Sequence, residues 1–233
     1  MFMMKKLVVL TGSGMSAESG LKTFRETGGL WEEYDVMEVA SPEGWARNRE
    51  MVLRFYNERR KQLKDAVPNA GHLALKELEN DFDVHIITQN VDNLHEKAGS
   101  SRVLHLHGLL TQARSTHYPD LIYDIGYRDI NIGDTCEKGY QLRPHIVWFG
   151  EAVPAIEEAA GIVATAELFA VIGTSLVVYP AAGLIDYVPA QVPVFLIDPN
   201  EVDVPIYRPV KVIREKAGNG VPILHKMLRN EYK

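Results

Sequence analysis

Three short stretches of this chain hold side chains that could do chemistry. Thr11-Gly12-Ser13-Gly14-Met15-Ser16-Ala17-Glu18-Ser19-Gly20 is a glycine-rich turn directly after an apolar run. Glycines there let backbone N–H groups approach a pyrophosphate, and a helix starting in the loop would add its positive end. A tight strand-to-helix turn with no ligand uses the same residue types. Gln89, Asn90 and Asp92 follow a second apolar run, where open α/β sheets bind ligands. An Asx-rich turn capping a helix near Asn93 is the plainer account of them. His105 and His107 stand two apart on an expected strand, so their side chains would share a face. Such a pair can ligate a metal, but no acidic or cysteine partner stands nearby in sequence, and the expectation is no metal.

A hydride-transfer dehydrogenase fits poorly. Its fingerprint wants an acidic residue ending a second strand ~20 residues after the glycines. Here that stretch reads Thr23-Phe24-Arg25-Glu26-Thr27-Gly28-Gly29-Leu30-Trp31, with no strand before it.

The elements that must position these residues follow from the apolar pattern. Runs at 7–11, 84–88, 103–106, 169–173, 194–197 and 210–213 are continuously apolar rather than alternating, as in strands covered on both faces. Helical patterns lie between them, including 72–79 and 221–229. The alternation predicts an α/β, Rossmann-like, doubly wound parallel sheet. Segments 31–66 and 111–146 break the rhythm. The first is charged and helix-prone without a strand, the second polar and rich in Tyr, Asp and Gly. Both read as insertions forming a small lobe, beside a large lobe built from 1–30, 67–110 and 147–233.

The 233 residues suit one such domain, and 46% hydrophobic with 24% charged residues is an ordinary globular composition. A net charge of -6 argues against a dedicated nucleic-acid binder, which needs clustered Lys and Arg. The single cysteine, Cys136, excludes an internal disulfide and suits a reducing compartment. No apolar run approaches the ~20 residues needed to cross a bilayer, and the start has too short an apolar core for a signal peptide. The expectation is a cytoplasmic monomer that binds neither nucleic acid nor membrane.

The run G-S-G-M-S-A-E-S-G-L-K-T-F-R (12–25) resembles the sirtuin signature, as do Gln89-Asn90-Val91-Asp92-Asn93-Leu94-His95, His107-Gly108 and Gly173-Thr174-Ser175-Leu176. The motifs stand in family order over residues 12–176. Beyond them the likeness is looser, at 177–182, Ile197-Asp198-Pro199-Asn200 and Ala217-Gly218. Two positions depart: sirtuins usually carry Ala where this chain has Ser13, and Pro where it has Lys22. Losing that proline relaxes a loop expected to cover the cofactor.

The resemblance implies that NAD is consumed as co-substrate in removing acyl groups from lysines of acylated proteins, giving nicotinamide and O-acyl-ADP-ribose. The acyl-lysine oxygen attacks the ribose carbon bearing nicotinamide, and a histidine then takes a proton from a ribose hydroxyl. His107 matches that catalytic position, and a neutral imidazole with an ordinary pKa of ~6.5 suits the task. Without the flanking motifs, a structural histidine would be the default. Asn90 and Asp92 would hold the nicotinamide carboxamide and Gln89 the ribose. Gly12, Ser13, Gly14, Ala17, Glu18, Phe24, Arg25, Gly173, Thr174 and Ser175 would line the cofactor, with Asn200 and Ala217 at its adenosine end. Val147, Trp148, Phe149, Gly150 and Glu151 match the stretch that pairs with substrate peptide as an added strand; a core strand is the alternative.

Ala40, Tyr56 and Arg59 match, in type and spacing, sirtuins that accept succinyl or malonyl lysine. There the alanine leaves room for the acyl chain and the Tyr–Arg pair binds its distal carboxylate. An arginine fork and a tyrosine hydroxyl suit a carboxylate, and residues three apart on a helix point the same way. The alternative places Tyr56 in the lobe's packing and Arg59 in a solvated Arg59-Arg60-Lys61 run. Many sirtuins also bind structural zinc through two C-x-x-C pairs. This chain has only Cys136, which with His117 and His145 makes at most three ligands, so no zinc is expected. Packing among Tyr118, Tyr123, Tyr127 and Tyr140 would hold the lobe instead. Transfer of ADP-ribose to a protein or water, and a non-catalytic NAD or ADP-ribose sensor, remain the alternative activities.

Overall fold

The computed structural model describes residues 4–21, 34–202 and 209–233. In chain order the strands are β1 (Lys6–Thr11), β2 (Asp83–Thr88), β3 (Val103–His105), β4 (Gly108–Ser115), β5 (Ile122–Asp124), β6 (Leu142–Ile146), β7 (Leu168–Ile172), β8 (Val194–Ile197) and β9 (Val210–Ile213). The helices are α1 (Val36–Val39), α2 (Pro42–Arg47), α3 (Arg49–Asp65), α4 (Ala70–Leu78), α5 (Leu94–Lys97), α6 (Ile156–Ala164) and α7 (Ala217–Tyr232).

Six strands pair in parallel in the order β3-β2-β1-β7-β8-β9. Their continuous apolarity has the predicted cause. Leu7, Val9, Val84, Ile86, Leu168 and Ala170 face a core shared with α4 and α7. Val8, Leu10, Ile87, Phe169 and Val171 face a second core under α6 and the turn Ala181–Tyr187. Every central strand is thus buried on both sides.

A third core forms elsewhere. Val52, Leu53, Phe55 and Tyr56 of α3 pack on Leu110 and Ala113 of β4 and on Ile146 and Trp148. β4 is the centre of a three-stranded antiparallel sheet, order β5-β4-β6. No strand was legible within 111–146, for two reasons. The register shifts between Leu109 and Ala113, which breaks the period-two pattern, and Ser115, polar by type, takes a buried position.

The Arg59-Arg60-Lys61 run is solvated only at Lys61. Arg60 is fully buried, donating from Nε to the Arg128 carbonyl at 3.0 Å and from Nη1 to the Leu110 carbonyl at 3.4 Å. Asn57, whose side-chain oxygen accepts from Arg60, also exchanges two 3.0 Å bonds with the backbone of Ile130. These bonds fix the rotation of α3 against β4. Asn48 caps the start of that helix, and Lys97 caps its end through the carbonyls of Leu63 and Ala66.

Candidate active site

Strand register decides where the chemistry gathers. Thr11 is level with Thr88 and Ile172, and Ile172 with Ile197, so loops 12–20, 89–93, 173–176 and 198–200 leave one edge of the sheet together. Strand order reverses between β1 and β7, the crevice where open α/β sheets place ligands. There the glycine loop touches the loop after β7. Gly12 N–H donates to the Ile172 carbonyl at 3.0 Å and Gly14 N–H to the Gly173 carbonyl at 2.9 Å. A Cβ on Gly12 would stand 2.6 Å from the Thr174 Cβ. Gly173 has φ +61°, and a Cβ there would stand 2.5 Å from the Met15 nitrogen. Neither position admits a side chain without parting the loops.

The amide and carboxylate after β2 turn into this crevice. The Asn90 side-chain amide donates to the Gly12 carbonyl at 3.0 Å and to Ser16 Oγ at 3.1 Å. Ser16 Oγ donates to Asp92 Oδ2 at 2.9 Å, and Asp92 Oδ1 accepts from Leu94 N–H at 3.1 Å, starting α5. Burial pushes the Asp92 carboxyl up, against the pull of these two donors. Gln89 Nε2 donates across to Thr174 Oγ1 at 3.1 Å.

His107 is half-buried in the bend between β3 and β4, and its Nδ1 lies 3.0 Å from the Gln89 carbonyl. A carbonyl only accepts, so Nδ1 carries the proton and Nε2 keeps its lone pair. Burial holds the imidazole below its ordinary value, which the Gln89 bond only partly offsets. The result is a neutral base of fixed tautomer beside the Gln89–Asp92 loop.

The loop after β6 is tied to it, Val147 N–H donating to the His107 carbonyl at 3.0 Å. Trp148 Nε1 donates to Tyr56 Oη at 3.0 Å in the interior. Burial pushes the Tyr56 hydroxyl up to about 12, so it stays protonated and keeps its own hydrogen to donate. Arg59, one turn on, interacts electrostatically with Tyr56 and with Asp92 of the loop after β2, and burial pushes its guanidinium down. Ala40 is buried, and its carbonyl accepts from Phe149 N–H at 2.9 Å.

Comparison with known proteins agrees with this geometry. The Sir2 family model matches residues 12–180. The chain belongs to the Sir2 family. It is 54% identical over 230 residues to the NAD-dependent protein deacylase of Bacteroides thetaiotaomicron, covering 97% of this chain and 98% of that one. It is 53% identical over 214 residues to the enzyme of that name from Helicobacter pylori, with 92% and 93% covered. Among solved structures, a Sir2 homologue in complex with NAD superposes with a TM-score of 0.87 at 39% identity, covering 97% of this chain and 90% of that one.

In this Sir2 chain the expected site residues of four loops meet, with several corrections. The glycine loop runs into two short 3-10 turns, Ser13–Met15 and Ala17–Ser19, rather than a regular helix, because Ser and Gly favour turns and Gly20 at φ 83° ends the second. Exposed Glu18 reaches the start of α7, accepting from Gly218 N–H at 2.7 Å, next to buried Ala217. Half-buried Ser175 and exposed Asn200 stand at the ends of β7 and β8. His105 and His107 do not share a strand, since β3 ends at His105. They bond successive carbonyls, His107 that of Gln89 and His105 that of Asn90 at 3.1 Å, with Glu96 2.7 Å from His105 Nε2. Phe24, Arg25 and Lys22 lie outside the described residues.

Residues 147–151 are a loop rather than a core strand. Val147 N–H donates to the His107 carbonyl at 3.0 Å, Phe149 N–H to Ala40, and Trp148 N–H to Glu151 Oε2 at 2.9 Å. Gly150 is an exposed turn residue at φ 86°. Glu151 is engaged by Arg143 at 2.6 Å and Arg114 at 3.1 Å, and the Arg143 guanidinium covers the Trp148 ring at 3.2 Å. The sequence reading missed Ser16, which bridges Asn90 and Asp92, and the Arg114–Glu151–Arg143 group. Ser16 stood inside the quoted motif, whereas nothing local marked the ion group.

Among the described residues no group of three or more His, Cys, Asp or Glu is placed to hold a metal ion. In the region of Cys136, His117 stacks on Tyr140 at 4.4 Å and Lys138 lies over the Tyr118 ring at 4.0 Å. Tyr123 and Tyr127 pack instead on the α3 core. Cys136 is buried, its thiol donating to Ser115 Oγ at 3.4 Å. No helix among the described residues is long and apolar enough to cross a membrane.

Proposed function

We propose that this Sir2 chain, an NAD-dependent protein-lysine deacylase, removes succinyl and malonyl groups as well as acetyl groups. When bound, NAD supplies the ribose carbon that exchanges nicotinamide for the acyl oxygen, so the acyl group leaves on ADP-ribose. The crevice suits that molecule: glycines 12, 14 and 173 let the loops after β1 and β7 close against each other at its base, and Thr174 and Ser175 add hydroxyls. The Asn90 side-chain oxygen and the Asp92 carboxylate offer acceptors for the N–H groups of a carboxamide. His107 Nε2 is the lone pair that accepts the ribose hydroxyl proton, and its tautomer is set by Gln89.

The acyl preference rests on one observation. Tyr56 accepts from Trp148 and so has its own proton free to give, with the Arg59 fork one helical turn away. A distal carboxylate is the group that both would bind. Residues 1–30, 67–110 and 147–233 form the cofactor lobe in this reading, and 31–66 with 111–146 the acyl-side lobe. A cytoplasmic monomer working without nucleic acid suits the single thiol and the charge of -6. Mass spectrometry of a succinyl-lysine peptide incubated with enzyme and NAD tests the activity. Loss of one succinyl mass supports it, whereas gain of ADP-ribose shows transfer and no change shows a sensor.

A further inference from the structure

Two fully buried histidines outside the site form a pair with complementary unused atoms. His72 lies on α4 and His95 on α5, with ring centroids 4.9 Å apart. His72 Nδ1 accepts from Asn69 N–H at 3.3 Å, so its proton is on Nε2, and that atom is buried with no partner. His95 Nε2 lies 3.2 Å from Thr11 Oγ1. Thr11 spends its only hydrogen on Thr88 Oγ1 at 2.8 Å, so the His95 ring must donate from Nε2. Its Nδ1 is then a bare acceptor, likewise buried and unpartnered. One ring has a donor left over and the adjacent ring an acceptor. A small tilt or one water joins them. Burial holds His72 down at about 4 and His95 far below its ordinary value, which keeps both rings neutral.

The chain of bonds ends in the active site. Thr88 Oγ1 accepts from Asn90 N–H at 3.0 Å, and Asn69, at the other end, holds the glycine loop through the Met15 carbonyl at 2.8 Å and Ser19 Oγ at 3.1 Å. We infer that His72 and His95 are positioning residues, both in the Nε2–H tautomer, which orient Thr11 and Thr88 and through them the backbone of Asn90. The part concerning turnover rests on the reading of Asn90 as a nicotinamide-holding residue.

Two-bond proton–nitrogen correlation spectra of the uniformly 15N-labelled free protein read the tautomers directly, with His72→Gln and His95→Gln used for assignment. A pyridine-like Nδ1 and a protonated Nε2 on both rings are expected. A protonated Nδ1 on either ring, or an imidazolium at neutral pH, overturns the inference. The second arm compares nicotinamide release by His95→Gln, whose amide can still donate to Thr11, with that by His95→Phe, which cannot. His95→Phe is expected to lower kcat by ~100-fold, the usual effect of misplacing a binding group by about 1 Å, and His95→Gln to recover most of it. Both variants are checked for an unchanged Tm. Equal kcat in folded His95→Phe and wild type overturns the positioning role. An Asn90→Ala variant with normal kcat would instead overturn the site reading and leave the tautomer result standing.

Discussion

The indole nitrogen of Trp148 is 3.0 Å from the hydroxyl of Tyr56, ninety-two residues away in the chain. That bond joins the loop after β6 to α3 and leaves the tyrosine's own hydrogen available to a ligand, one helical turn from Arg59. Replacing Arg59 by Met should abolish desuccinylation while sparing deacetylation, since only the former needs the carboxylate partner. Leaving a buried carboxylate unpaired costs ~2–5 kcal/mol. Steady-state rates on acetyl- and succinyl-lysine peptides check this, and equal loss of both would refute the pocket assignment.

Activity should persist below the pH at which an ordinary histidine loses it. The working form of His107 is neutral, and burial lowers its pKa below 6.5. As pH falls, kcat/KM therefore stays flat through 6.5 and drops only when the lowered pKa is crossed. A midpoint at or above 6.5 would contradict the buried geometry. His107→Ala should cost ~10²–10⁴-fold.

Gly173→Ala should part the two loops at the switch point. The alanine would be held at φ +61° with its Cβ 2.5 Å from the Met15 nitrogen, a backbone atom that cannot swing away. A rise in KM for NAD of tenfold or more is expected from nicotinamide-release kinetics. Unchanged KM would show that the loops separate without consequence.

Arg60→Met should weaken the α3–β4 junction. The substitution leaves the Arg128 and Leu110 carbonyls and the Asn57 side-chain oxygen short of a donor. A buried acceptor left unsatisfied costs about 1–3 kcal/mol. Urea unfolding should show a destabilisation of at least that size, and a shift under about 0.5 kcal/mol would refute the pinning role.

Much of this was legible beforehand. The parallel strands are the runs Leu7-Val8-Val9-Leu10 and its counterparts, whose apolarity on both faces states their burial directly. The small sheet was not legible, because its register shift and the buried Ser115 break the alternation at β4. His107 was found by its motif, but its tautomer depended on a carbonyl eighteen residues earlier.

Local chemistry in the sequence determined which residue types stand at the strand ends: glycines where backbones must approach, an amide and a carboxylate after β2, an imidazole after β3. Those assignments need only neighbours along the chain. The tertiary structure decided which partners these groups have. Arg60 became a buried pin and Glu151 the centre of an ion group, and Tyr56 acquired Trp148. Each outcome turns on a hydrogen bond or charge contact between distant segments, and such contacts leave no periodic trace in the sequence.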